Sequence, residues 1–98
     1  MPKIVYNACY GGFSLSDEGL ALFRALGGVA EDDLDFPEDR RHDPILVEVV
    51  ETIGDKASGN CAKLKMVEVS SGTPYRIENH DGFETVKTLN IREWTVAL

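Results

Sequence analysis

The two helical patterns of this chain come before its cluster of strand patterns, and this order limits the fold more than any other feature. An apolar strand pattern occupies residues 3–9, and further strand patterns occupy residues 63–69, 75–79 and 83–89. Helices that alternate with strands build parallel units, whereas helices segregated from the strands are typical of α+β folds. We therefore predict a single α+β domain over residues 1–98 with the order β-α-α-β-β-β. We expect an antiparallel or mixed sheet with both helices on one face.

Both helices are predicted from a start signal that is followed by an amphipathic pattern. Ser16 is a suitable N-cap for the first helix, and the Gly27-Gly28 pair is a suitable end for it. Asp43 and Pro44 supply the N-cap and the first helical residue of the second helix. Apolar residues then recur at i, i+3, i+4 and i+7, so the second helix should bury one face.

Three other segments complete this outline. Residues 30–41 carry six acidic side chains and no periodic pattern, so we predict one long loop there. The Asp81-Gly82 dipeptide is a signal for a tight hairpin turn between the last two long strands. Residues 91–96, which include Trp94, predict a final short strand or tail.

The charge balance limits the classes of partner. Seventeen Asp and Glu residues against ten Lys and Arg residues give a formal net charge of -7 at pH 7. The average surface potential therefore repels nucleic-acid backbones and anionic lipid headgroups, which disfavours generic nucleic-acid or membrane binding. No signal-peptide pattern and no apolar run of roughly 20 residues occurs, so we expect the protein to stay in the cytoplasm. In that compartment the two cysteines should be reduced.

The segment Asn-Ala-Cys-Tyr-Gly-Gly-Phe-Ser-Leu-Ser at residues 7–16 resembles the opening of a group of small hypothetical proteins from tailed bacteriophages and prophages. Weaker similarities follow at residues 41–51, 57–59, 63–65 and 81–82. The resemblance implies no particular activity or cofactor. It implies a phage accessory protein made in the host cytoplasm, where small acidic domains bind host or defence components.

One candidate ligand site combines a glycine turn with two arginines. The Gly-Gly turn runs into the start of the first helix, and two arginines precede the start of the second. Backbone N–H groups at a helix start can hold an anion, and guanidinium groups can bind it bidentately. If both helix starts lie at one edge of the sheet, these groups could converge on an anionic ligand. The predicted ligand-binding residues are Asn7, Gly11, Gly12, Phe13, Ser14, Ser16, Arg40 and Arg41.

Plainer explanations exist for each of these features. The glycines and Ser16 suit a strand-to-helix turn with an N-cap, and the arginines suit ion pairs with the acidic loop. Cys9 could be a nucleophile with His42 or His80 as its base, although a small buried thiol is the simpler interpretation. The cysteines and histidines show no paired metal-ligand spacing, so we predict no metal and no cofactor.

Three functions remain open. The first is a phage accessory protein that is not an enzyme and captures an anionic, nucleotide-derived signalling molecule as a homo-oligomer. The second is an acidic inhibitor of a host or defence protein with no small ligand. The third is a cysteine-dependent enzyme that uses Cys9.

Overall fold

The computed structural model describes residues 2–32, 36–60, 62–72 and 74–88. The predicted final strand or tail at residues 91–96, with Trp94, lies outside the described residues. So do Cys61 and the central part of the predicted acidic loop.

The observed elements confirm the predicted α+β class and the order β-α-α-β-β-β. Two short 3₁₀ helices, Glu38–Arg40 and Gly54–Ala57, flank the second α-helix. The main elements are β1 (Lys3–Asn7), α1 (Asp17–Ala25), α2 (Pro44–Ile53), β2 (Leu64–Glu68), β3 (Tyr75–His80) and β4 (Phe83–Thr88). Within the described residues, no helix is long and apolar enough to span a bilayer.

Both helices begin where the sequence places their caps. The Ser16 hydroxyl accepts a hydrogen bond from the Gly19 backbone N–H at 3.0 Å. The Asp43 carboxylate accepts one from the Ile45 N–H at 2.8 Å. These bonds satisfy backbone donors that have no partner inside the helix, so the local sequence is sufficient to fix each helix start.

The described strands form two separate antiparallel pairs, β1 with β2 and β3 with β4. The predicted antiparallel arrangement is therefore present, but it is divided between two small sheets. Other groups occupy the edge of β1 that does not pair with β2. There the Val5 N–H donates to the Arg41 carbonyl oxygen, and the Asn7 N–H donates to the Glu84 carboxylate. A strand on that edge would need these same donors, so β4 contacts β1 without extending its hydrogen-bonded ladder.

The hydrophobic core lies between the β1–β2 sheet and the helices. Val5 and Leu64 face α2, and α2 also contacts α1. Phe23 of α1 clusters with Phe13 and Phe36, and the ring centroids are 5.0 Å apart for Phe23 and Phe36 and 5.7 Å apart for Phe13 and Phe36. This core joins both helices, β1 and the segment around Phe36 into one body.

Side chains alternate along β1 and β2, so every second residue lies on the side of the sheet opposite α2. The strand register pairs Tyr6 with Lys65 and Ile4 with Val67, and these four residues share that side. We call it the outer side of the sheet. The β3–β4 hairpin lies next to it, since β4 contacts β1.

The hairpin turn also fixes how the hairpin contacts the rest of the chain. Asp81 and Gly82 both have positive φ, at 52° and 90°, as a two-residue hairpin turn requires. A Cβ at Gly82 would collide with the Tyr10 carbonyl oxygen and the Gly12 backbone. The turn is therefore packed directly on residues 10–12, which we call the glycine loop. Gly72, by contrast, has a φ of 81° but nothing within 4 Å of its Cβ position.

We predict that Gly82→Ala destabilises the protein more than Gly72→Ala. Both changes place a side chain at positive φ, which costs about 1–2 kcal/mol, but only Gly82→Ala adds a backbone collision. Urea unfolding of both variants measures the difference. Equal losses would show that the glycine loop and the hairpin turn are not in contact.

Candidate functional site

A buried ion pair lies at the junction of the hairpin and the core. The Arg41 guanidinium donates to both carboxylate oxygens of Glu84, at 2.5 and 2.9 Å. Its Nε donates to the Phe36 carbonyl oxygen at 2.6 Å, and its Cζ lies 3.8 Å from the centre of the Phe13 ring. Arg41 is 6% exposed and Glu84 is 3% exposed. Three of the five N–H groups of Arg41 and one face of its plane are therefore already occupied by the protein.

Asn7 completes this junction. Its backbone N–H donates to Glu84 at 2.8 Å, and its side-chain amide donates to the carbonyl oxygens of Cys9 and Gly82 at 2.6 and 2.8 Å. Its side-chain oxygen accepts from the Lys63 N–H at 2.8 Å. One buried side chain thus joins the end of β1, the start of β2 and the hairpin turn.

The structure brings three of the predicted ligand-binding residues together, but around Glu84. Asn7, Phe13 and Arg41 all contact this junction. Displacing Glu84 from Arg41 would leave a carboxylate buried without its partner, which is costly. A role for Arg41 in ligand binding stays a prediction, and it now requires that displacement.

The two helix starts do not lie together. The Ser16 N–H donates to the Ala57 carbonyl oxygen at 2.8 Å, and the Ser16 hydroxyl donates to the Lys56 carbonyl oxygen. The start of α1 is therefore beside the 3₁₀ helix that follows α2, whereas Asp43 caps the opposite end of α2. The sequence-based condition for one shared anion site, both helix starts at one edge, is not met.

The remaining predicted residues are dispersed. Arg40 donates to the Val29 carbonyl oxygen at 2.6 Å and lies over the Phe36 ring at 5.4 Å. Gly11 is exposed, Gly12 has a φ of 88°, and the Ser14 carbonyl oxygen accepts from the Gly59 N–H at 3.0 Å. The contacts of Gly12 and Ser14 agree with the plainer interpretation, in which these residues form a strand-to-helix turn.

We predict that Arg41→Met lowers the free energy of unfolding by about 3–5 kcal/mol, because it leaves the Glu84 carboxylate buried without a counter-charge. Adding Glu84→Gln should recover part of this loss, since glutamine keeps an acceptor for the Asn7 N–H without the charge. Chemical unfolding of the two single variants and the double variant measures the coupling. The control is Lys3→Met, which breaks the exposed pair of Lys3 with Glu51 at 2.5 Å and should have a much smaller effect. Additive losses in Arg41→Met and Glu84→Gln would contradict the pairing.

A groove of about 570 Å³ lies beside the outer side of the sheet. We call it the acidic groove. Its walls are mostly apolar, and its polar groups come from the segment just before α2 and from the start of β3. Its lining residues are Pro2, Ile4, Glu38, Asp39, His42, Val69, Gly72, Pro74 and Tyr75.

Hydrogen bonds fix the polar end of the acidic groove. The Tyr75 hydroxyl donates to the Glu38 carbonyl oxygen at 2.8 Å and lies 2.7 Å from the Nδ1 atom of His42. Because that hydroxyl hydrogen is used by Glu38, His42 Nδ1 must be the donor to Tyr75. The His42 and Tyr75 rings also meet edge to face, with centroids 5.6 Å apart. Tyr75 therefore ties the hairpin to the segment that carries Glu38 and Asp39.

The electrostatics of this end are negative. Burial raises the pKa of the Tyr75 hydroxyl above its ordinary value, the Glu38 carboxylate raises it further, and the Arg41 guanidinium opposes the shift. No residue among those described forms an ion pair with Glu38 or Asp39. A cation entering the groove would therefore meet two carboxylates.

Sequence reasoning missed this groove. The acidic residues were predicted only to form a loop that pairs with the arginines, and His42 was considered only as a possible base for Cys9. The separation of 33 residues between His42 and Tyr75 gives no local signal of their contact. The alternation of β3 and β4 could have indicated which side of the hairpin faces the rest of the protein. It places Tyr75 and Ile77 on the same side as the buried Glu84.

The cysteine and histidine side chains offer little support for a nucleophilic cysteine or a metal site. Cys9 is half-buried just after β1, and the His42 ring is hydrogen-bonded to the Tyr75 hydroxyl. His80 is exposed at the end of β3. Within residues 2–32, 36–60, 62–72 and 74–88, no group of three His, Cys, Asp or Glu side chains could hold a metal ion.

Comparison with known protein families, curated proteins and solved structures finds no match for this chain. Any functional assignment must therefore be argued from the grooves and charges of the molecule itself.

We predict that the Tyr75 hydroxyl ionises at a higher pH than an ordinary tyrosine, and that Glu38→Gln lowers its pKa. The ultraviolet titration of tyrosinate, compared between the wild-type protein and Tyr75→Phe, isolates this group. A raised pKa in the folded state contributes stability below the unfolded-state pKa, and that contribution is lost as the pH rises through the folded-state pKa. Tyr75→Phe should remove this alkaline loss. An unshifted Tyr75 titration would contradict the described burial.

Proposed function

We propose that this chain is a phage accessory protein that acts in the host cytoplasm by binding a basic segment of a host or defence protein in the acidic groove. The single observation that carries this proposal is the combination of an apolar-walled groove of about 570 Å³ with the Glu38 and Asp39 carboxylates. The proposal corresponds to the acidic inhibitor of the sequence analysis.

The shape of the groove supports a protein segment as the occupant. Its volume lies within the range of about 300–1,000 Å³ that is typical of binding pockets. Apolar walls from Pro2, Val69 and Pro74 suit the aliphatic stem of a lysine or arginine, and the carboxylates suit its charged end. The Tyr75 ring adds a surface over which a cation is attracted.

The charge of the whole chain supports the same class of partner. A net charge of -7 attracts a basic protein surface before contact and raises the association rate at low salt. This long-range effect favours basic segments over acidic or neutral ones.

Capture of an anionic, nucleotide-derived molecule at the glycine turn and the two arginines is less well supported. Its main cation, Arg41, is paired with Glu84 and nearly buried. An anion there would have to replace a bidentate ion pair and the contact with Phe13. The homo-oligomer expected with such a ligand remains a prediction.

We predict that the double variant Glu38→Lys plus Asp39→Lys binds a labelled hexapeptide of alternating valine and lysine at least about tenfold more weakly than the wild-type protein, because two attractions become repulsions. Fluorescence anisotropy measures the affinity, and amide NMR shifts at His42, Val69 and Tyr75 locate the site. Binding should weaken as salt is raised.

The matched control is Asp55→Lys, which reverses an exposed charge in the 3₁₀ helix at the other end of α2. It should bind the lysine peptide nearly as well as the wild-type protein. A second control peptide alternates valine with glutamate and should not bind. Equal binding of both peptides, or equal losses in the groove variant and Asp55→Lys, would refute the assignment.

A further inference from the structure

A second, smaller groove lies on the outer side of the sheet, between that side and β4. Its volume is about 310 Å³, and its lining includes Tyr6, Lys65, Val67, Phe83 and Val86. We call it the lysine groove. It shares no lining residue with the acidic groove.

The lysine groove carries the opposite charge to the acidic groove. Lys65 is the lysine that lines it. Glu84 also contributes to the lining, but its carboxylate is paired with Arg41. No described residue forms an ion pair with Lys65. The uncompensated charge of this groove is therefore positive, in a chain that is acidic overall.

Aromatic rings supply its apolar surface. Tyr6 and Phe83 line the groove from the sheet and from the hairpin. The Tyr10 ring lies 5.2 Å from the Phe83 ring, and Tyr10 is 67% exposed, so the aromatic surface continues past the edge of the groove. Flat aromatic faces next to a cation bind planar aromatic groups that carry a negative charge.

We propose that the lysine groove binds a small aromatic anion of the nucleoside monophosphate class. The planar base would stack against Tyr6 or Phe83, and the phosphate would pair with Lys65. The volume is sufficient for one such molecule and close to the lower limit of ligand pockets. The net charge of -7 disfavours a longer nucleic acid, whose phosphates would extend over acidic surface. The proposal is independent of the acidic groove and does not use Arg41.

The experiment is an amide NMR titration of the whole chain with AMP and with CMP, alongside adenosine and inorganic phosphate as partial probes. We expect saturable shifts at Tyr6, Lys65 and Phe83 with at least one of the two nucleotides. Adenosine should bind at least about tenfold more weakly than AMP if AMP is that ligand, and phosphate alone should give no saturable shift, because each probe lacks one half of the recognised chemistry.

Charge reversal tests the assigned cation. Lys65→Glu should weaken nucleotide binding by about tenfold or more, whereas Lys87→Glu, an exposed change on β4 outside the groove lining, should leave it nearly unchanged. Phe83→Leu keeps an apolar side chain but removes a stacking face, and it should also weaken binding. Three outcomes would overturn the proposal: no saturable shift at the groove with either nucleotide, an equal response to phosphate alone, or equal losses in Lys65→Glu and Lys87→Glu.

Discussion

The buried pair of Arg41 and Glu84 joins the β3–β4 hairpin to the rest of the described protein. The helices and the β1–β2 sheet form one hydrophobic body, and none of the described core residues belongs to the β3–β4 hairpin. Polar contacts join the hairpin to this body, since the Glu84 carboxylate binds Arg41 and the backbone of Asn7, and the Tyr10–Phe83 ring contact adds to them. Such a junction depends strongly on geometry, because a buried charge that loses its partner is left uncompensated, which costs about 3–5 kcal/mol.

This junction also accounts for the division of the strands into two pairs. The Glu84 side chain takes the place that a neighbouring strand would occupy at Asn7, and the Arg41 carbonyl oxygen does so at Val5. The hairpin therefore lies beside the sheet and does not extend it. Concave surfaces remain where the two parts meet, and both the acidic groove and the lysine groove include residues from the hairpin and from the sheet.

Local signals in the sequence were sufficient for the elements and insufficient for the site. Ser16, Asp43 and the Asp81-Gly82 turn act on neighbouring backbone groups, so their effects could be read from a few adjacent residues. Glu84 could not be identified in this way, because its partner Arg41 is 43 residues distant and only the tertiary packing joins them. Arg41 was predicted as a ligand-binding residue, but the sequence could not show whether its counter-charge is a ligand or another side chain.

The ion pair occupies the centre of the junction, so both proposed binding surfaces lie at its periphery. A guanidinium that already binds a carboxylate, a carbonyl oxygen and an aromatic face has little free energy to gain from a ligand. Glu38, Asp39 and Lys65 differ in this respect, since each adds a charge beside an apolar wall without an ion pair to a described residue. A charged partner can pair with such groups without displacing an existing ion pair. Because the hairpin helps to form both grooves, weakening the Arg41–Glu84 pair should alter both binding surfaces together.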